Sequence, residues 1–182
     1  MRELSLHLLD LARNSLEAGA ASIDILVRED PARDELVITV ADDGRGMDEE
    51  AVRRATDAFF TSRRTRKMGL GLALWRGTCE RSGGGLEITS APGAGTTVTG
   101  RLQLTHWDRP PLGDMGGVLQ ALACEAPAVH LRYRHEVGAR HFDFDTRELQ
   151  QELQEVPVCD PTVLHWLRGW VREELAEIGS QA

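Results

Sequence analysis

Four short clusters of polar residues and glycine lie between Asp10 and Thr97, and their order constrains the fold more than any other feature of the chain. They read D-L-A-R-N (Asp10 to Asn14), D-D-G-R-G-M (Asp42 to Met47), G-L-G-L (Gly69 to Leu72) and G-T-T (Gly95 to Thr97). Each alone is weak evidence, because glycines and carboxylates also make ordinary turns. Together they read as one pocket for ATP, with separate places for adenine, magnesium and phosphates.

The intervening segments supply the framework. Leu4, Leu8, Leu11, Ala12 and Leu16 recur at helical spacing over residues 3 to 18, and Gly19 is placed to end that helix. Ser22 to Arg28 and Glu35 to Ala41 read as strands joined by the turn D-P-A-R-D. Asp48 is an N-cap for a helix through Ala55, and a second helix runs from Leu70 to Arg81, stopped by Gly83-Gly84-Gly85. Strands at Leu86 to Ser90 and Thr96 to Leu104 follow. The expected class is α+β, a mixed sheet covered on one face by helices.

After Leu104 the character changes. T-H-W-D-R-P-P-L-G-D reads as a linker, which divides the chain into an expected ATP-binding domain, 1–104, and a C-terminal α/β module, 105–182. The second segment predicts a helix over Met115 to Cys124 and a hairpin turning at Val137-Gly138. A short helix with Asp145 and Glu148 as its capping box follows. The last helix is capped by Asp160 with Pro161 at its first position, and carries the stripe Leu164, Leu167, Val171, Leu175, Ile178. That stripe must bury against the rest of the chain or against a partner.

Charge excludes some partners. The 182 residues carry a formal net charge of −8 with no long basic run, so nucleic acid and anionic membranes are not expected partners. Arg63, Arg64, Arg66 and Lys67 form a short basic stretch beside the third cluster, either a phosphate contact or a solvated loop. The three cysteines, Cys79, Cys124 and Cys159, lack C-x-x-C spacing, which argues against zinc and fits a cytoplasmic location. The N-terminus is polar every few residues, unlike a signal peptide or a membrane span.

The chemistry follows residue by residue. His7, Asp10 and Asn14 project from one helix face. Magnesium on a nucleotide keeps several waters, so the Asn14 carbonyl oxygen suffices to anchor it. Asp10, one turn earlier, can orient or deprotonate a water that attacks the γ-phosphate. The alternative is the plain polar face of a surface helix, and His7 reads as a structural group rather than a phosphate acceptor. Asp42 can accept from the exocyclic amine of adenine, Gly44 and Gly46 let backbone approach the ring, and Met47 adds soft apolar contact. Gly69, Leu70, Gly71 and Leu72 open a helix whose N–H groups suit phosphate. Neither the dinucleotide fingerprint nor a P-loop is present. Thr96 can hold a water against adenine, though strand propensity alone also accounts for a threonine there.

In this order the clusters resemble the GHKL superfamily, which joins type II topoisomerase B subunits, ninety-kilodalton heat-shock chaperones, histidine kinases and MutL-type mismatch-repair ATPases. L-L-D-L-A-R-N-S-L-E-A-G-A-A-S-I-D-I is similar to the MutL-type N box, and the stretch from Phe59 to about Thr99 to the catalytic domain of sensor histidine kinases. The resemblance covers roughly residues 4 to 104. It implies a Bergerat-type two-layer sandwich, magnesium at Asn14, adenine at Asp42, phosphates around Gly69 and Gly71, and a water-holding Thr96. It also implies that Phe59 to Met68 is the ATP lid.

Three departures qualify what the resemblance implies. Asp10 stands where hydrolytic members carry glutamate, which counts against vigorous turnover. Lys67 stands where kinases commonly have a further glycine, and could touch the γ-phosphate instead. The chain starts at the N box, without the helical hairpin that bears a phosphoacceptor histidine, so a self-contained sensor kinase is not expected. The layout looks like that of small stand-alone bacterial members. The expected function is a regulatory phosphotransferase or ATPase acting on a partner protein, with ATP and Mg2+ as cofactors. The alternative is an ATP-driven conformational switch, or a binding module, with little turnover.

Overall fold

The computed structural model describes residues 3–55, 71–154 and 156–182. Its elements in chain order are α1 (Leu4–Glu17), β1 (Ser22–Asp30), β2 (Glu35–Asp42), α2 (Glu49–Arg54), α3 (Gly71–Arg81), β3 (Gly85–Ser90) and β4 (Thr96–Gln103). Then come α4 (Met115–Glu125), β5 (His130–Val137), β6 (Arg140–Asp145), α5 (Thr146–Leu153) and α6 (Pro161–Ile178).

Period-two alternation makes the strands one-sided. Ile23, Ile25 and Val27 of β1, Leu36, Ile38 and Val40 of β2, and Val98 and Leu102 of β4 are buried. Asp24, Arg28, Thr39 and Arg101, on the opposite face, are exposed or half-buried. The six strands form one sheet in the order β3-β4-β2-β1-β5-β6, antiparallel throughout except for the parallel pair β1–β5. This mixed α+β architecture is the expected one.

Helices cover the apolar face. Leu4, Leu8, Leu11 and Ala12 of α1 are buried over β1 and β2, and α3 lies over β3 and β4. Trp75 of α3 is fully buried because β4 offers Gly100 beneath it. A Cβ there would enter the indole ring, 2.7 Å from Cε2, and come within 2.9 Å of Cys79 Sγ. α6 lies over β5 and β6, with Val163, Leu167, Val171 and Ile178 buried and Leu164 and Leu175 half-buried, and it also packs on α4. The apolar stripe of the last helix is therefore spent within the chain.

Sheet and core run without a break across residue 104. The hairpin β5–β6 extends the sheet of β1–β4, and Tyr133, Phe142 and Phe144 share one core with Leu8, Ile25 and Leu36. The proline-rich stretch, read above as a linker, is fastened. Pro111 O accepts from Leu4 N at 3.0 Å and Leu112 O from Ser5 N at 2.7 Å, which satisfies donors the first turn of α1 leaves unused. Arg109 is tied to Leu104 O, Pro110 O and Gln181 O. The aspartate caps appear where the sequence puts them: Asp48 accepts from Ala51 N, Asp145 from Arg147 N and Asp160 from Thr162 N.

Candidate functional site

α1 carries Asp10 and Asn14 one turn apart, both half-buried, and both meet the start of α3. A Cβ on Gly71 would run into Asp10 Oδ2, lie 3.1 Å from Asp10 Cγ and come 3.9 Å from Asn14 Nδ2. With glycine at 71 the backbone lies directly against the Asp10 carboxylate, and Asn14 stands at ordinary contact distance. The described part of α3 begins at Gly71, and a helix start leaves N–H groups without intrahelical partners and adds partial positive charge. Leu72, half-buried, packs against the core and anchors that turn. Lys67, Gly69, Leu70 and the lid from Phe59 to Met68 lie outside the described residues.

Asp42, the last residue of β2, is held at both oxygens. Oδ2 accepts from Ser15 Oγ at 2.6 Å and Oδ1 from Gly44 N at 2.9 Å. Ser15 directly follows Asn14 and is buried on the inner face of α1, so the same helix positions the adenine and magnesium candidates. Gly44 is buried against the end of α1; a Cβ there would lie 2.9 Å from Ala18 Cβ. Arg45 N donates to Ala18 O at 3.0 Å and closes that contact.

The loops after β2 and β3 interlock backbone to backbone. Gly46 has φ 66° and Gly95 φ 77°, left-handed values that favour glycine. A Cβ on Gly46 would lie 2.8 Å from Ala91 C, and one on Gly95 2.8 Å from Asp42 C. Ser90 locks the joint: its hydroxyl accepts from Met47 N at 2.8 Å and donates to Gly95 O at 2.8 Å. Its single proton being used, Thr96 Oγ1, 2.9 Å away, is the donor between the two hydroxyls. Thr96 faces Asp42 across β2–β4 and Ser90 across β3–β4. Asp43 turns away and accepts from Ala21 N at 2.7 Å and Ser22 N at 2.9 Å. Those bonds, Ser22's foremost, hold its carboxyl below the usual range.

The fold therefore gathers Asp10, Asn14, Gly71 and Leu72 at the α1–α3 junction, with Asp42, Gly44, Gly46, Met47 and Thr96 beside it. Ser15 and Ser90 were missed from the sequence. A signal for Ser15 existed: with Leu8, Leu11 and Ala12 it lies on the stripe that must be buried, where a hydroxyl needs a partner. His7 lies one turn before Asp10, buried, its ring 4.9 Å from that of Trp75 and its Nε2 3.1 Å from Thr78 Oγ1. Burial, then the positive N-terminus and Arg81, lowers its pKa to about 4. It is a neutral packing group, as expected.

The family model described as "Histidine kinase-, DNA gyrase B-, and HSP90-like ATPase" matches residues 2–106. The chain belongs to this family. Residues 2–106 are thus an ATP-binding, kinase-like ATPase domain. Among curated relatives, the chain is 35% identical over 111 residues to the non-motile and phage-resistance protein of Caulobacter vibrioides, covering 56% of this chain and 13% of that one. It is 34% identical over 93 residues to the sensor protein FixL of Bradyrhizobium diazoefficiens, covering 50% and 18%. The chain thus spans less than a fifth of the length of either protein. A crystal structure of the N-terminal domain of a DNA repair protein superposes with a TM-score of 0.57 at 15% identity, over 79% of this chain and 52% of that one. That likeness establishes the fold. Among the described residues no helix is long and apolar enough to cross a membrane.

Proposed function

We propose that the GHKL site acts as a regulatory phosphotransferase or ATPase whose object is a partner protein. The observation that carries the reading is the close approach of Gly71, the first described residue of α3, to the Asp10 carboxylate and the Asn14 amide on one face of α1. In this reading Asp42, already oriented by Ser15 and Gly44, accepts from the adenine amine with its remaining lone pairs. Gly44 and Gly46 bring backbone close to the base, Met47 lies against it, and Thr96 holds a water beside it. The first turn of α3, Gly71 and Leu72, receives phosphate oxygens. Asp10 orients or deprotonates the attacking water or acceptor hydroxyl.

The donor set also fits magnesium. Among the described residues no group of three His, Cys, Asp or Glu side chains could hold a metal by itself. This suits an ion carried in on a nucleotide and anchored by the single oxygen of Asn14. When bound, Mg2+ would neutralise phosphate charge. A protein acceptor is the expected partner because sensor proteins are among the relatives, and the site would work in a cytoplasmic setting where ATP is abundant.

A second reading, an ATP-driven switch with little turnover, is favoured by one residue. Asp10 is one methylene shorter than glutamate, and its carboxylate already lies against Gly71. Titration with ATP with and without Mg2+, followed by phosphate release and transfer from γ-labelled ATP to co-purified protein, separates the two readings. Asn14→Ala should lose the magnesium-dependent part of binding, and Asp10→Ala should bind but not turn over. Full turnover by Asp10→Ala would remove Asp10 from the chemistry.

A further inference from the structure

Hydroxyl protons decide which edge of a purine the joint between the β2 and β3 loops can face. Ser90 has a single proton and three polar neighbours. Met47 N–H donates to its oxygen at 2.8 Å and occupies one lone pair. Gly95 O, 2.8 Å away, is a carbonyl that can only accept, so the Ser90 proton goes there. Thr96 Oγ1, 2.9 Å away, then has one role open to it and donates to the second lone pair. The reverse assignment would strip this donor from the carbonyl of buried Gly95.

Toward the site, Thr96 is therefore an acceptor only. Ser90, Thr96 and Asp42 are directly paired across β3, β4 and β2, which puts the three side chains on the same face of the sheet. The other hydroxyl at Asp42 is spent in the same way. Ser15 Oγ lies 2.6 Å from Asp42 Oδ2 and 3.4 Å from Leu11 O, so its proton serves the carboxylate. The carboxylate has none to give back. Asp42 and Thr96 thus offer lone pairs to a ligand and no proton.

We propose that Ser90 is a specificity-determining positioning residue: by taking the Thr96 proton it keeps hydroxyl donors away from the base and so excludes purines with an oxygen in place of the adenine amine. The inference rests on the reading above that the base lies against Asp42 and Thr96. Adenine brings an exocyclic amine whose two protons suit those acceptors. Hypoxanthine and guanine bring a carbonyl oxygen at the same place, which would meet Asp42 and Thr96 lone pair to lone pair and stay unsatisfied. Without the Ser90 oxygen, Thr96 regains a free proton and can turn it to that carbonyl.

The test is calorimetry of the full chain with ATP and magnesium, followed by displacement of ATP with ITP, its counterpart bearing the carbonyl. The parent should prefer ATP. Ser90→Ala should narrow the preference roughly tenfold, through tighter binding of ITP relative to ATP. Thr96→Val should weaken ATP without weakening ITP. Adding Ser90→Ala to Thr96→Val should leave the ratio where it was, because Ser90 acts through Thr96. A role in loop structure alone would lower both nucleotides together in Ser90→Ala and keep the parent ratio; that result overturns the proposal and leaves the ATP site standing. If Ser90→Ala does not fold, Thr96→Val decides: weaker ITP binding would show that Thr96 donates to the base, and Ser90 would not hold its proton. A parent that binds ATP and ITP equally, or a Thr96→Val chain unchanged toward both, would remove the base from Thr96 and sink the underlying reading with the proposal.

Discussion

The hairpin β1–β2 carries a carboxylate near each end of the pair, and the two have opposite surroundings. Glu29 of β1 is fully buried and bonded at both oxygens: Oε1 accepts from His135 Nε2 at 2.7 Å and Ser180 Oγ at 2.6 Å, and Oε2 from Gln181 N at 2.8 Å. Tyr133 OH, 2.7 Å from His135 Nδ1, extends the chain of bonds. Burial alone would raise Glu29, but the bonds from His135, Ser180 and Gln181 outweigh it and hold the carboxyl below its ordinary value. Asp42 is half-buried, with two bonds where a carboxylate has about four acceptor sites. One carboxylate is consumed in holding the fold; the other is oriented but left with capacity to bind.

That contrast can be broken by substitution. The largest effect is expected at Glu29→Ala, which leaves His135 Nε2, Ser180 Oγ and Gln181 N without their acceptor and should cost about 3–5 kcal/mol in denaturant unfolding. Its folded fraction should bind ATP as the parent does. Asp42→Asn should do the reverse, lowering ATP affinity in calorimetry roughly 10- to 100-fold with little change in unfolding midpoint. If Glu29→Ala abolished binding at unchanged stability, the division of labour would be wrong.

A third buried group sharpens the comparison through pH. His7 has Thr78 as its ring partner and, among the described residues, no carboxylate hydrogen-bonded to it. Its folded pKa of about 4 lies below its unfolded value of 6.5, so its stabilising share is complete above 6.5 and lost as pH falls toward 4. Between pH 7 and 5 this amounts to about 2 kcal/mol, a range above the one in which Glu29 protonates. Unfolding free energies across that range should fall in the parent and stay flatter in His7→Phe; equal slopes would acquit His7. The smallest effect is expected at Ser15→Ala, which frees one oxygen of Asp42. ATP affinity should drop about fivefold, near 1 kcal/mol, and unaltered affinity would show that Gly44 N alone suffices to orient the carboxylate.

Much of this was legible in the sequence, because it is written locally. The stripe of α1, the alternation of β1 and β2, and the caps Asp48, Asp145 and Asp160 depend on neighbours within a few residues. Asp10 and Asn14 could be placed on one face from helical spacing alone. The pairing of β1 with β5 could not. Parallel pairing joins segments that are far apart in sequence, and the linker-like composition of 105–114 gave no hint that Pro111 and Leu112 serve α1. Ser90, Gly95 and Met47 meet only once β3 and β4 are in register.

The parallel register from Ser22↔His130 to Glu29↔Val137 makes β1 an interior strand. A fragment ending at residue 104 would strip one side of it, exposing a row of unpaired amides flanked by Ile23, Ile25 and Val27. Such a piece would offer a ready template to any other extended chain, so recombinant shortening to the matched region invites insoluble material even when every candidate site residue is retained.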